Sequence, residues 1–247
     1  MPKWTRDGVV QASDEWVWAP PGAEKLSVAG GDVIEYPDWA RMGLYVMPLD
    51  VHEPIEHVVE GIQQTARPRG RDKSDWWIAP TTRPAALEEQ LVAQGAELTE
   101  VTDILAYDMS SRVPDTGPTS RISCRVVHDA RALNEAEQVS AVVWGGEPSS
   151  GERREQQLRD IGSPLDSEGG FRVVATLEGR PIATGGCQVA RKVARLYGAC
   201  TLPDARGLGG YRAVLRTRLE VAHAQGATLA LVDPERRTSA IRFTVAS

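Results

Sequence analysis

The sequence predicts an α/β (α+β) protein built as two lobes. Strand-like runs alternate with amphipathic helical stretches along all 247 residues. A Pro/Gly-rich break, Pro114-Asp115-Thr116-Gly117-Pro118, follows one completed pattern and precedes a fresh strand-like run. Apolar residues make up 41% and charged residues 25%, enough for packed cores and unlike a disordered chain. The boundary is therefore expected near residue 117, giving lobes 1–117 and 118–247.

Composition excludes several classes. The net charge of −6 is unlike that of a uniformly basic nucleic-acid binder. No run approaches the roughly 18 apolar residues of a membrane span. The N-terminus MPKWTRDGVVQASDEW lacks the apolar core of a signal peptide. Cys124, Cys187 and Cys200 are too few and too scattered for a disulfide framework or a four-cysteine zinc site. A reduced, cytoplasmic protein without metal is expected. Arg far outnumbers Lys and Asn134 is the sole asparagine, an association with GC-rich bacterial genomes.

Before residue 117, Asp32–Tyr36, Gly43–Met47 and Asp75–Ala79 read as strands. Glu53–Ala66 reads as a helix, because Ile55, Val58, Val59 and Ile62 recur at i, i+3, i+4 and i+7. Pro54 is tolerated in its first turn. Pro84–Gln94 reads as a second helix, with Thr82 as N-cap, Leu87 and Leu91 facing inward and Gly95 at the stop. Leu98–Met109 reads as one long strand. On the Trp76-Trp77 strand, alternation turns one indole inward and the other outward. Seven tryptophans, mostly in this half, point to core or interface packing.

After the break, Ser123–Val127 reads as a strand, and 130–143 and Glu152–Ile161 as helices. Phe171–Leu177 and Pro181–Ala190 form a hairpin about Glu178-Gly179-Arg180. A strand over Val193–Leu202, a helix over Gly209–Gln225 and a strand over Thr228–Val232 complete the order β, α, α, β, β, β, α, β. The stretch Trp77–Ala85 echoes Leu231–Ser239, which hints at related lobes.

The stretch Leu196–Leu215 carries the chemistry. A strand leaves through Pro203 into Arg206-Gly207-Leu208-Gly209-Gly210-Tyr211-Arg212 and then a long amphipathic helix. Gly207 and Gly209 let the backbone turn tightly and approach a ligand. The helix start supplies unpaired N–H groups and the positive end of its dipole, a cradle for a pyrophosphate. Arg206 and Arg212 add charge. No G-x-x-x-x-G-K-[ST] is present, and Arg212 stands where a G-x-G-x-x-G begun at Gly207 needs glycine.

This stretch resembles the GNAT (GCN5-related N-acetyltransferase) superfamily, whose R/Q-x-x-G-x-G/A loop holds the acyl-coenzyme A pyrophosphate. Arg206 and Gly209 match, whereas Tyr211 replaces the final Gly or Ala. The order of elements over 121–232 is also similar. The resemblance implies two GNAT-like lobes, each a mixed, mostly antiparallel sheet flanked by helices, the first degenerate and without a phosphate loop. It implies acyl-coenzyme A (acetyl-CoA) as co-substrate, held by Cys200, Thr201, Leu202 and residues 206 to 212, namely Arg206, Gly207, Leu208, Gly209, Gly210, Tyr211 and Arg212. Pantetheine would pair with the strand backbone around Cys200–Leu202, and Thr228–Val232 would splay away to leave a notch for the thioester. An amine of a small molecule or peptide would attack directly. Backbone N–H groups would polarise the carbonyl, and a base or water chain would take the proton.

No catalytic residue is identified. Alternation places Arg195, Tyr197, Ala199 and Thr201 on one strand face and Leu196, Gly198, Cys200 and Leu202 on the other, with no carboxylate on either. Asp233 is either a notch residue or a turn residue before Pro234. The family's proton-donating Tyr has no counterpart after Tyr211. Cys200 fits a small buried apolar role. His52-Glu53-Pro54-Ile55-Glu56-His57 misses both zinc-helix spacings. His128 and His223 read as surface residues. The closing strands of related sequences are expected to be missing after Thr238: either the first lobe or a second subunit (a homodimer) supplies the missing edge, or the protein is a shortened and weakened member. Two functions stay open: an acyl-CoA-dependent N-acyltransferase, and a non-catalytic acyl-CoA binding or sensing protein. A third, an interaction protein whose loop binds nothing, is separated from both by acetyl-CoA binding.

Overall fold

The structure is a computed structural model that describes residues 3–16, 19, 22–28, 31–38, 43–47, 50–101, 103–117, 121–161, 170–232 and 241–246. The chain divides into two compact units: 1–4 with 105–233, and 5–104 with 234–247. The division falls between Ile104 and Leu105 rather than at the 114–118 break, and the chain's last segment returns to the N-terminal unit.

The N-terminal unit contains α1 (Arg6–Asp14), β1 (Glu24–Val28), β2 (Gly31–Glu35), β3 (Leu44–Val46), α2 (Ile55–Ala66), β4 (Lys73–Ile78), α3 (Leu87–Ala93) and β5 (Glu97–Val101). The last strand of the chain, β12 (Ile241–Ala246), lies between β4 and β5 in the six-stranded order β1-β2-β3-β4-β12-β5. This strand is antiparallel to both neighbours and belongs to the N-terminal sheet, so it is not one of the closing strands expected from sequence to be missing from the second lobe. Helix α2 buries the periodic face Ile55, Val58, Val59 and Ile62 against Leu44, Val46, Trp76, Leu87 and Leu91. Trp76 is fully buried and donates from Nε1 to Ser74 Oγ at 3.0 Å, while Trp77 is half-buried beside Tyr45. Thr82 does not cap α3, whose N-cap is Ala86. Its hydroxyl instead accepts from the Ala79 N–H, closing the turn after β4. The elements α1 and β1 were not read from sequence.

The C-terminal unit contains β6 (Leu105–Asp108), β7 (Ile122–Val126), α4 (Ala130–Trp144), α5 (Gly151–Ile161), β8 (Gly170–Leu177), β9 (Arg180–Ala190), β10 (Val193–Thr201), α6 (Gly210–Ala224) and β11 (Leu229–Val232). From β7 onward the predicted order β, α, α, β, β, β, α, β is the order observed. The sheet runs β6-β11-β10-β9-β8-β7; β7 to β10 are antiparallel, and β10 pairs β11 in parallel across α6. Asp129 caps α4 by accepting from the Ala132 N–H at 2.7 Å. The single strand expected over Leu98–Met109 is two strands in two sheets. β5 pairs β12, and β6 pairs β11 antiparallel. Residues 105–108, assigned from sequence to the first lobe, thus cover the outer edge of β11. No helix among the described residues is long and apolar enough to cross a membrane.

Candidate functional site

Strand β10 pairs β11 only over Val193–Leu196, where β11 ends at Val232. It runs on to Thr201 along β9, so its other edge carries no strand past Leu196 among the described residues. The Leu202 N–H donates to Ile182 O at 2.9 Å on the β9 side. Successive residues of a strand present their N–H and C=O to opposite edges. Thr201 therefore turns its backbone groups to the free edge, whereas those of Cys200 and Leu202 face β9.

A β-bulge interrupts the β9 pairing between Tyr197 and Cys200. Gly198 sits there with φ of 55°, a left-handed conformation that glycine adopts without strain. The bulge corrects the strict alternation expected from sequence. Tyr197 opposes Gly186 and Cys200 opposes Thr184. Thr184 and Gly186 share a face, so Cys200 falls on the face of Tyr197 rather than opposite it.

Both faces of the bulge are built around glycines. A Cβ on Gly186 would lie 2.3 Å from the Tyr197 ring, and one on Gly170 would lie 2.9 Å from its hydroxyl. Tyr197 is 38% exposed as a residue, but desolvation where its hydroxyl packs raises the phenol pKa above its ordinary value. On the other face, a Cβ on Gly185 would lie 3.1 Å from Cζ of the buried Arg218.

Beyond β10, a 3-10 turn over Pro203–Ala205 leads into the glycine loop. Gly207 has φ of 79° and Gly209, the N-cap of α6, φ of 95°. No side chain caps α6. The N–H groups of Gly210, Tyr211 and Arg212 thus begin the helix without intrahelical partners. A Cβ on Gly210 would lie 3.1 Å from Ile182 Cδ1, so glycine lets the helix start approach β9 closely. Arg206 and Arg212 are exposed and form no ion pair among the described residues; Arg180 pairs Asp204 at 2.7 Å. Leu208 and Tyr211 are also exposed, and Cys200 and Leu202 are buried. Positive φ, uncapped amides and two free guanidinium groups suit a phosphate-bearing ligand.

The structure assembles the predicted residues from Cys200 to Arg212 in one continuous strand–loop–helix passage. Asp233 and the echo beyond Val232 lie outside the described residues. The strand parts of that echo, ending at Ile78 and Val232, occupy equivalent places: β4 and β11 each follow a crossover helix and pair in parallel with the strand before it. No group of three metal-binding side chains occurs among the described residues. His52 is exposed beside Asp50, and His128 and His223 each contact a backbone carbonyl. Burial raises the Cys124 thiol pKa and pushes that of Cys187 up to about 12, the reverse of nucleophile activation. Sequence reasoning missed the bulge and Arg218. The available signals were a lone glycine inside a strand pattern and an arginine between Val214 and Ala222 on the inward helix face.

Solved structures share this architecture. A GCN5-related N-acetyltransferase from Kribbella flavida matches over 91% of this chain and 89% of its own, with TM-score 0.63 and 17% identity. One from Sphaerobacter thermophilus matches over 88% and 81%, with TM-score 0.60 and 15% identity. The chain has the tandem GNAT fold. A tandem GNAT protein from the clavulanic acid biosynthesis pathway covers 96% of this chain and 87% of its own, with TM-score 0.63 and 13% identity. No protein-family model matches the sequence, and no curated protein matches it. In this GNAT sheet, β10, its bulge and the α6 loop form one passage open along the strand edge.

Proposed function

We propose that the C-terminal unit transfers an acyl group, such as acetyl, from acyl-coenzyme A to an amine by direct attack. The free edge of β10 leading straight into an uncapped, arginine-flanked glycine loop carries this reading. The GNAT architecture supports it, as does the tandem protein from the clavulanic acid pathway, whose matching structure is the form without AcCoA. The pyrophosphate would lie on the Arg206–Arg212 loop and the first amides of α6. Pantetheine would pair with Thr201, between Cys200 and Leu202. The N-terminal unit is the degenerate partner in this reading and binds no nucleotide.

Chemistry then rests on placement. The amine is held against the thioester carbon, the carbonyl oxygen is stabilised by backbone N–H, and solvent or a side chain takes the proton. Strand β10 carries no carboxylate to act as base. A thermal-shift titration with acetyl-CoA and a thiol-release assay with a panel of amines test the proposal. Stabilisation that rises with acetyl-CoA concentration is expected, together with thiol release by at least one amine. Stabilisation without release by any amine would favour the sensing function. Absence of stabilisation would remove both.

A further inference from the structure

One buried charge has no role in that scheme. Arg218, on the third turn of α6, is fully buried. Its Nη1 donates to Gly186 O at 3.0 Å and lies 3.5 Å from Tyr197 O. Its Nε and Nη2 have no hydrogen-bond partner, and no carboxylate among the described residues pairs with it. Its surroundings are neutral: the Cys124 and Cys187 thiols and the Tyr211 hydroxyl, which lies close enough to interact with the guanidinium as a hydrogen-bond partner but carries no counter-charge. Burying an ion without a counter-charge costs several kcal/mol, and arginine does not shed its proton in proteins. A neutral amide could satisfy the same carbonyls at a lower cost, so the geometry points to a use for the charge itself.

The Tyr197 carbonyl and the Gly198 N–H belong to one peptide unit. The carbonyl end faces the guanidinium, and in a trans peptide the N–H points the opposite way. Gly198 is exposed in the bulge, outside the β9 pairing and next to the free edge of β10. A cation at the carbonyl draws electron density through the amide and strengthens the N–H as a donor. The adjacent glycines fix this arrangement: Gly185 makes room for the guanidinium and Gly186 for the Tyr197 ring.

We propose that Arg218 is a positioning residue that holds and polarises the Tyr197–Gly198 peptide, so that the Gly198 N–H stabilises the thioester oxygen of a bound acyl-CoA. The proposal rests on the acyltransferase reading. As the amine nitrogen bonds to the carbonyl carbon, the π electrons move onto that oxygen, and the Gly198 N–H stabilises the negative charge there by donating a hydrogen bond. They return as the C–S bond breaks. The nitrogen loses a proton and the departing thiolate gains one, giving an amide and free coenzyme A.

The test uses the full chain with Arg218→Gln and Arg218→Lys. Three readouts apply: the thermal shift with acetyl-CoA, thiol-release kinetics, and the infrared carbonyl band of bound acetyl-CoA carrying ¹³C at the thioester carbon. Weakening one oxyanion donor should lower kcat by about 10- to 100-fold. Arg218→Gln should show that loss with the acetyl-CoA thermal shift and KM retained, and its carbonyl band should move back towards the frequency in water. Arg218→Lys should recover part of both. An unchanged kcat and carbonyl band in Arg218→Gln would overturn the proposal. If that variant does not fold, Gly185→Ala replaces it, because the added Cβ displaces the guanidinium without deleting it; the same kcat and band changes are expected, and their absence again overturns the proposal. A wild-type chain that binds acetyl-CoA but releases no thiol is judged on the carbonyl band alone. A wild-type chain that binds no acetyl-CoA removes the acyltransferase reading before any variant is made.

Discussion

Among the described residues, two parallel strand pairs are each joined by one crossover helix: β3–α2–β4 and β10–α6–β11. They differ where a phosphate would bind. Helix α2 begins after Pro54, with φ of −53° and ψ of 131°, and has Glu53 and Glu56 at its start. Those carboxylates already complement the helix dipole and repel an anion. Helix α6 begins at Gly209 in the left-handed region, has no acidic residue in its first turn, and is flanked by Arg206 and Arg212. The strands differ as well. β3 has only three residues, all paired with β4, whereas β10 has nine and outruns β11 after Leu196. The same topology therefore gives a closed structural unit in one sheet and an open, cationic passage in the other. Fold alone does not place chemistry; in the proposed acyltransferase the strand overhang and the residues at the helix start would.

The largest expected effect concerns the strand that returns to the N-terminal sheet. Deleting residues 241–247 removes β12 from between β4 and β5 and leaves both with an unpaired edge. Hydrogen exchange should then lose its protection over 73–78 and 97–101, while β8 and β9 keep theirs. Retained protection of β4 would show that the N-terminal sheet does not depend on the chain's last strand.

That strand also marks where sequence stops being informative. The elements from β7 to β11 were legible because each has its own period and its own turn, such as Glu178-Gly179 between β8 and β9. Hydrophobic period gives the face a strand buries but not the partner it pairs with. Hence Leu98–Met109 read as one strand, although β5 and β6 belong to different sheets. Helix α1 escaped notice because RDGVVQASD is largely polar and buries only Ala12. At the site, the loop glycines were legible from their spacing beside arginine. For the bulge the sequence offered only the lone Gly198 inside a strand pattern; its geometry was not legible, because it depends on how Gly185 and Gly186 of a neighbouring strand accommodate Arg218 and Tyr197.

The second effect sharpens the contrast between the helix starts. Gly209→Leu puts a branched side chain at φ of 95°, where a Cβ would meet Arg212 and Ile122 at 3.6 Å. Such strain costs about 1–3 kcal/mol, and the side chain would fill the cradle. Acetyl-CoA affinity should fall by about 100-fold or more, equivalent to roughly 2.8 kcal/mol, with the fold retained in circular dichroism. Arg206→Ala and Arg212→Ala should each weaken binding about tenfold through loss of a charge-assisted contact. Glu53→Gln at the start of α2 should change affinity by less than about twofold. An equal loss there, measured by thermal-shift titration, would mean that the wrong helix has been assigned to the phosphate.

A smaller effect compares a glycine inside a strand of the C-terminal sheet with one just before a strand of the N-terminal sheet. Gly186→Ala would drive a Cβ to within 2.3 Å of the Tyr197 ring. Overpacking of this kind costs about 1–3 kcal/mol, so Tm should fall by several degrees. Gly43→Ala, just before β3, has no atom within 4 Å of the added Cβ and should leave Tm nearly unchanged. Equal responses would contradict the view that the bulge in the C-terminal sheet is the more tightly built of the two.

The smallest effect is the alkaline limb of stability, which should begin in the C-terminal unit. Burial pushes the Cys187 thiol from 9.0 to about 12 and the Tyr36 phenol from 10.0 to about 12. For each, the unfolded chain releases its proton at a lower pH than the folded chain does. The stabilising difference is therefore fully present below the unfolded pKa and is lost as pH rises towards about 12. Cys187 begins to lose it near pH 9.0, and Tyr36 about one unit later. Once above the unfolded value, each group contributes a loss of up to roughly 1.4 kcal/mol per pH unit. Cys124 in the C-terminal unit is shifted in the same direction and adds to its early loss. Hydrogen exchange from pH 8 to 10, corrected for the intrinsic base-catalysed rate, should thus show β8 and β9 losing stability before β2 and β3. Cys187→Ala should flatten that early slope without altering the later one. An unchanged slope in this variant would mean that Cys187 ionises in the folded chain as readily as in water, which its complete burial does not permit.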